Sequence, residues 1–245
     1  MRQLLPVPAA DVDPAAAHAA AARPAPEGRP WVLANMVASA DGATAVEGRS
    51  EGLGGPADKA VFSALRSVAD VILVAAGTAR AESYGPPRTP ADRRAEREAR
   101  GQAPYPRLAL VTRSLDLDPT SAMFTEATAP PVVFTVTSAP TARRQALDGL
   151  AEIVDVGDDG VDLAAALGWL ADRGVATVLC EGGPSLNGQL LAAGLVDELD
   201  LTTSPLLVGG DSARAAHGPD GEPLDVELAH LWEADGVLFA RYVRA

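Results

Sequence analysis

Thr177-Val178-Leu179-Cys180-Glu181-Gly182-Gly183-Pro184-Ser185-Leu186-Asn187-Gly188 is the stretch on which the fold turns. The short apolar run ending at Cys180 predicts a buried strand. Gly182 and Gly183 let the backbone turn tightly. Pro184 and Ser185 then open a helix, because proline's fixed φ and missing N–H suit a first helical turn. A strand that feeds a helix this way leaves several N–H groups unpaired at the helix's positive end, which suits a pyrophosphate. The same residues also fit an ordinary strand-to-helix turn in which Gly183 merely permits the geometry.

The pattern repeats on both sides. Val71-Ile72-Leu73-Val74 is a continuous apolar run of the kind a buried parallel strand shows, and Gly77-Thr78 follows it directly. Strands are predicted at 31–37, 70–75, 108–112, 132–136, 153–156, 175–180 and 198–203. Helices are predicted at 14–22, 56–69, 92–100, 141–150, 162–173 and 185–193. This alternation predicts an α/β domain with a central, mostly parallel sheet flanked by helices. Asp235-Gly236 between two apolar runs predicts a C-terminal antiparallel hairpin. Residues 1–30 read as an N-terminal arm and 31–245 as the domain, and the Pro- and Arg-rich segment 85–106 reads as a long, exposed, mobile excursion.

Composition narrows the function. The formal charge of −13 opposes binding to nucleic acid, whose affinity depends on Lys and Arg neutralising phosphates. One cysteine, Cys180, permits no internal disulfide and reads as a buried small hydrophobe. His18, His217 and His230 are too scattered in sequence to suggest a metal site, and none is expected. No apolar stretch reaches the ~18 residues that a membrane span needs, so a cytoplasmic protein is expected.

Two other motifs compete for attention. Gly52-Leu53-Gly54-Gly55-Pro56-Ala57 fits the dinucleotide pattern formally, but polar residues precede it where a buried strand should stand. Gly183-Pro184-Ser185, followed by Asp200 or Asp211 and then His217, has the order of a serine hydrolase, although Asn187 replaces the second glycine of the elbow. Asp41, just past a strand end in Ser39-Ala40-Asp41-Gly42, is a candidate for proton handling through a raised pKa, with a plain Asp-Gly turn as its other reading.

Taken together, Ser39-Ala40-Asp41-Gly42, Gly55-Pro56, Leu65-Arg66, Ala69 to Val74, Gly77-Thr78, Glu181 to Leu186 and Ala193 to Leu199 resemble the riboflavin-pathway pyrimidine reductases in order and near-spacing. The similarity runs from about residue 31 to 210. It is to the reductase half of the bifunctional deaminase-reductases, and most like their stand-alone actinobacterial branch. These residues lack the His-x-Glu and Pro-Cys-x-x-Cys ligands of a zinc deaminase, so no deamination is expected of them.

The resemblance implies a dihydrofolate-reductase-like fold, a homodimer to which the segment Leu195–Leu207 contributes, and NADPH as cofactor. It implies Gly77, Thr78 and Glu82 at the nicotinamide end, Ser114 on the adenosine side, and Gly182, Gly183, Pro184, Ser185, Leu186, Asn187 and Gly188 around the pyrophosphate. Arg113 is the expected partner of the 2′-phosphate, since a guanidinium suits a dianion. Ser50, Arg66 and Glu181 are implied substrate residues, Arg66 for a sugar phosphate and Glu181 for a pyrimidine N–H edge. Gly52 stands where the family carries an aromatic residue. The arginine expected after the Thr78 loop has Arg88 as its nearest counterpart. The expected reaction is NADPH-dependent reduction of a 5-amino-6-(5-phosphoribosylamino)uracil-type pyrimidine. Reduction of a pterin such as dihydrofolate, and nucleotide binding without turnover, stay open beside it.

Overall fold

The computed structural model describes residues Met1–Ala245. In chain order the elements are β1 (Arg2–Leu5), α1 (Pro14–Ala20), β2 (Trp31–Ser39), α2 (Pro56–Val68), β3 (Val71–Ala75), α3 (Ala76–Ala81), α4 (Ala91–Ala99), β4 (Arg107–Val111), α5 (Ala122–Thr125), β5 (Val132–Thr135), α6 (Thr141–Ala146), β6 (Glu152–Asp155), α7 (Leu163–Ala171), β7 (Thr177–Cys180), α8 (Pro184–Ala192), β8 (Glu198–Ser204), β9 (Val226–Ala234) and β10 (Val237–Arg244).

One ten-stranded sheet runs β1-β9-β10-β8-β2-β7-β3-β4-β5-β6. From β8 to β6 every pairing is parallel, whereas β10, β9 and β1 add on antiparallel, as the hairpin signal at Asp235-Gly236 predicts. The chain leaves β2, skips one position to form β3, and later fills the gap with β7. That reversal opens a crevice at the carboxyl ends of β2, β7 and β3, where α/β sheets take ligands.

Period-two alternation along the strands builds two cores. Ile72, Val74, Leu108 and Leu110 face one side with Val61 and Leu65 of α2, and Val71, Leu73, Val178 and Cys180 face the other with Leu167 of α7 and Leu190 of α8. Helix α2 forms because Pro56 occupies its first turn and Val61, Ala64, Leu65 and Val68 repeat at helical spacing, all of them buried. Asp162 caps α7 by accepting from the Ala165 N–H at 3.0 Å.

Several expectations differ from what is observed. Gly77-Thr78 lies inside α3 rather than in a turn, while β1 and α5 gave no pattern in the sequence. The first thirty residues supply an edge strand as well as a helix, because β1 pairs with β9. Segment 85–106 is tethered where a loose excursion was expected. Arg97 of α4 is fully buried and donates to the carbonyls of Arg66, Ser67 and Ala69 at the end of α2. Those carbonyls have no partner within their own helix, so a cation from another element caps them.

The start of the chain is bound by ionic contacts. Glu198 is buried and accepts forked hydrogen bonds from both Arg23 and Arg241, at 2.7 to 3.0 Å. Arg29 forks onto Asp197 at 2.5 and 2.7 Å.

Candidate functional site

A cleft of about 540 Å³ opens at the crevice between β2, β7 and β3. β2 lines it with Asn35, Met36 and Val37, α2 with Asp58, Lys59, Phe62 and Arg66, and α3 with Thr78 and Ala81, followed by Glu82 at its C-cap. Tyr84 follows α3, and the turn Glu181-Gly182-Gly183-Pro184 closes the far wall.

Of the residues expected in a site, the cleft brings together Ser50, Arg66, Thr78, Glu82, Glu181, Gly182, Gly183 and Pro184. Glu82 and Ser50 are directly joined, since the Glu82 carboxylate accepts from the Ser50 N–H at 2.9 Å and from its hydroxyl at 3.0 Å. The turn is built tightly. The Gly183 N–H donates to Thr78 Oγ1 at 3.1 Å, and a Cβ on Gly183 would sit 2.6 Å from that oxygen.

Arg66 and Glu181 are committed to each other. Arg66 Nε and Nη2 donate to the two carboxylate oxygens at 2.6 and 2.7 Å, and the Tyr84 hydroxyl donates to Glu181 at 2.8 Å. Burial of the guanidinium is outweighed by the Glu181 partner, which raises the Arg66 pKa, and burial together with the Glu181 charge pushes the Tyr84 phenol well up. Both expected substrate residues line the cleft, and the pairing leaves three of the five guanidinium N–H donors of Arg66 without a partner in the chain. The pair forms a wall.

Asp41 also departs from expectation. It is exposed and lines a separate hollow with Gly209, Gly210 and Arg214. The Ser39 hydroxyl and the Gly209 and Val208 N–H groups hydrogen-bond to its carboxylate and hold its pKa down at about 2. Its surroundings stabilise the anion, the reverse of what a proton donor needs.

The carboxyl that does sit in the cleft is Asp58, which sequence reasoning passed over. Burial raises its pKa, against the opposing effects of the Thr202 hydroxyl and the Lys59 charge. Its only sequence signal was an acid in the first turn of a proline-started helix, which is ordinary on macrodipole grounds.

The remaining expected residues lie outside the cleft. Leu186 is a core side chain. Asn187 is buried, donates to the Ala215 carbonyl at 2.8 Å and accepts from the Cys180 thiol at 3.3 Å. Gly188 is where the His217–Gly218 backbone crosses α8, since a Cβ there would lie 2.5 Å from the His217 oxygen. The Leu186 and Asn187 side chains and the Cα of Gly188 are taken up by packing within the chain. Ser185 is exposed, and its hydroxyl meets only Gln189 Nε2, at 3.4 Å. With Asp200 buried beside His18, the hydrolase arrangement is absent. Gly77, Arg113 and Ser114 are exposed. The last two follow β4 on the same sheet edge, one strand beyond the crevice, and the Ser114 carbonyl accepts from Arg143 at 3.2 Å. Arg88 pairs with Glu126 on the surface.

His18, Asp200 and His230 are brought together by the fold, although they are scattered in sequence, with their ligating atoms within 4.8 Å of one another. Arg23 lies 3.3 Å from His18 Nδ1 and can only donate, so the neutral ring carries its proton on Nε2 and has no lone pair there for a cation. Burial, followed by Arg23, lowers His18 to about 3, and burial, followed by Arg241, lowers His230 to about 4.

The geometry meets the chemistry of a dinucleotide at α8. The helix has no side-chain cap, its first residue is proline, and the N–H groups of Ser185 and Leu186 find no acceptor in the chain. Such donors suit a pyrophosphate.

Comparison with known proteins adds a family. The family model described as the RibD C-terminal domain matches residues 30–239. A 2,5-diamino-6-ribosylamino-4(3H)-pyrimidinone 5′-phosphate reductase of Archaeoglobus fulgidus is 31% identical over 78% of this chain and 87% of its own. The protein of the same name in Methanothermobacter thermautotrophicus is 33% identical over 80% and 87%. Among solved structures, a pyrimidine reductase-like protein of Corynebacterium diphtheriae superposes with a TM-score of 0.81 at 30% identity, covering 88% of this chain and 92% of that one.

Proposed function

The chain belongs to the RibD C-terminal domain family, and from that premise we propose that it is an NADPH-dependent reductase that converts a 5-amino-6-(5-phosphoribosylamino)uracil-type pyrimidine to its ribitylamino product. One observation carries the reading. The turn Gly183-Pro184, which opens α8 and its unpaired Ser185 and Leu186 amides, lines the same cleft as Asp58, a carboxyl whose pKa burial raises.

NADPH supplies the hydride when bound, with its pyrophosphate on the Ser185 and Leu186 amides and Arg113 and Ser114 toward its adenosine end. Opening the ribose ring at the bond between C1′ and its ring oxygen leaves C1′ doubly bonded to nitrogen and ready for hydride, and the ring oxygen takes a proton. Asp58 is the proton donor. A carboxyl whose pKa lies nearer the working pH gives up a proton and regains one more readily than one held low, as Asp41 is. The Arg66–Glu181–Tyr84 wall and the Glu82–Ser50 contact keep the floor of the cleft in shape, so the sugar meets a preformed site.

The protein acts as a cytoplasmic homodimer. Leu199, Leu201, Leu228, Leu231, Leu238 and Tyr242 are joined by cross-strand pairing on one face of β8, β10 and β9, outside both cores. An apolar sheet face without a cover is a natural seat for a second copy. In support of the location, no helix is long and apolar enough to cross a membrane, and the lone cysteine is buried.

The test is NADPH oxidation followed by absorbance, with the 2-amino and 2-oxo phosphoribosylamino pyrimidines and dihydrofolate offered separately. Turnover of a pyrimidine phosphate is expected. A clear preference for dihydrofolate, or no turnover by a chain that binds NADPH, refutes the proposal.

A further inference from the structure

We propose that Arg97, which lies outside the cleft, is a positioning residue for it, the centre of a clamp that sets Arg66 in register with Glu181; this rests on the reductase reading above. The clamp is the stretch 97–102, and it takes up four successive carbonyls at the end of α2, those of Arg66, Ser67, Val68 and Ala69. Arg97 Nη1 donates to Arg66, Ser67 and Ala69 at 3.3, 3.0 and 2.6 Å. Arg100 adds a second bond to Ser67 at 2.9 Å, and Gln102 Nε2 donates to Val68 at 2.9 Å. The end of a helix leaves such acceptors without partners of their own, and a cation placed there also meets the negative end of the macrodipole. Arg66 stands in that last turn, so the clamp fixes the backbone from which its guanidinium reaches Glu181.

The same stretch reaches the other partner. Gln102 Nε2 also donates to one oxygen of Asp70 at 2.7 Å, and the second oxygen accepts from the Ala176 and Thr177 N–H groups at 2.9 Å, where β7 begins. Glu181 follows directly on β7, so both members of the pair are anchored to one clamp from behind. Tyr84, just ahead of the same excursion, holds Glu181 from the other side at 2.8 Å. Packing alone does not call for an arginine at position 97. Its side chain is fully buried, its Nε donates to the Ala103 carbonyl at 2.8 Å, none of its hydrogen-bond partners is an acid, and Nη2 has no partner. Burial lowers its pKa to about 10, against the Asp70 charge, so at neutral pH it stays a desolvated cation. An apolar residue would avoid that cost. What the guanidinium adds is a rigid, planar set of donors that fixes several acceptors relative to one another.

The experiment compares Arg97→Met, Arg97→Lys and the milder Gln102→Met with the wild type. In Arg97→Met the KM for the phosphorylated pyrimidine should rise about tenfold with kcat nearly unchanged, since a group displaced by about 1 Å can cost up to about a hundredfold. A merely structural role predicts the opposite split, a smaller active fraction that lowers apparent kcat and leaves KM alone. Arg97→Lys should recover part of the loss, and in an Arg66→Met background Arg97→Met should not raise KM further. A second readout needs no turnover and also serves if Arg97→Met fails to fold. With isotopically labelled arginine, NMR should show the Arg66 Nε–H exchanging with solvent about tenfold faster in Gln102→Met, the effect of one lost hydrogen bond. The Arg23 and Arg241 Nε–H groups, held by Glu198 away from the clamp, should keep their rates. An unchanged KM in a folded Arg97→Met, or Arg66 exchange in Gln102→Met that gains no more than these two controls, overturns the assignment. Should the wild type turn over neither pyrimidine, the reductase reading fails, and the exchange rates decide the clamp by themselves.

Discussion

Replacing Glu181 with alanine should destabilise the protein sharply, because the side chain is the only counter-ion of Arg66. Three donors converge on it, Arg66 Nε at 2.6 Å, Arg66 Nη2 at 2.7 Å and the Tyr84 hydroxyl at 2.8 Å. Its side chain is 1% exposed and that of Arg66 21%. Removing one partner of a buried pair costs about 3 to 5 kcal/mol, and the part of Arg66 that reaches water puts this case near the lower end. The freed Tyr84 hydroxyl adds about 1 kcal/mol, giving roughly 3 to 4 kcal/mol in all. For a chain of this length that corresponds to a fall in Tm of roughly 6 to 16 °C. Urea unfolding followed by the fluorescence of Trp31, Trp169 and Trp232 measures it. Apolar replacement of both partners, Arg66→Met with Glu181→Met, leaves no stranded charge and should recover much of the loss. A Glu181→Ala cost below about 1 kcal/mol, or a double variant no better than the single one, would refute the claim that the pair is a closed structural unit.

Asp58→Asn should lower kcat at least about a hundredfold, as expected for losing a general acid. The same change should stabilise the fold at pH 7. Folding raises the Asp58 pKa above its ordinary 3.8, so ionisation costs stability as pH rises through the raised value, and the advantage of Asn should vanish below 3.8. Equal stability of the two proteins at pH 7 would count against burial as the cause. Asp41→Asn should leave the pH–rate profile unaltered while loosening the Val208–Gly209 turn. The Asp41 pKa is lowered to about 2, so its contribution is present above 3.8 and fades as pH falls through about 2, which denaturation across that range tests. Gly183→Ala should cost about 1 to 3 kcal/mol, since its Cβ meets Thr78 Oγ1 at a residue whose φ is 21°. Loss of coenzyme binding without loss of stability would show that this turn touches ligand rather than Thr78.

Much of the frame is legible in local pattern. Val71–Val74 and Thr177–Cys180 are apolar without interruption because both faces of those strands are covered, and α2 shows its buried stripe at helical spacing. Asp235-Gly236 marks the hairpin because its turn needs positive φ, found at both residues, 53° and 81°. By contrast β1 is four residues long and precedes a proline. It becomes a strand only through β9, which follows more than two hundred residues later, so no local signal foretells it.

The site divides along the same line. Gly183 and the start of α8 follow from a short motif at a strand end, where a parallel sheet delivers its loops to a common edge, whereas Ser50, Thr78 and Glu82 were reached through the resemblance to a family. Side-chain availability is another matter. Asp41 and Asp58 are both acids beside a glycine-rich turn, and only the placement of α2 against β8 desolvates one while the 205–209 turn hydrogen-bonds the other. Arg66 and Glu181 are 115 residues apart, and Arg97 caps a helix whose end lies about thirty residues before it. From the sequence alone came the layering, the parallel sheet and the edge where the cleft opens, because these depend on periodicities within a few residues. Tertiary structure alone decided which carboxyl is desolvated and which is held by hydrogen bonds, because charge and desolvation depend on neighbours that the chain supplies from far away.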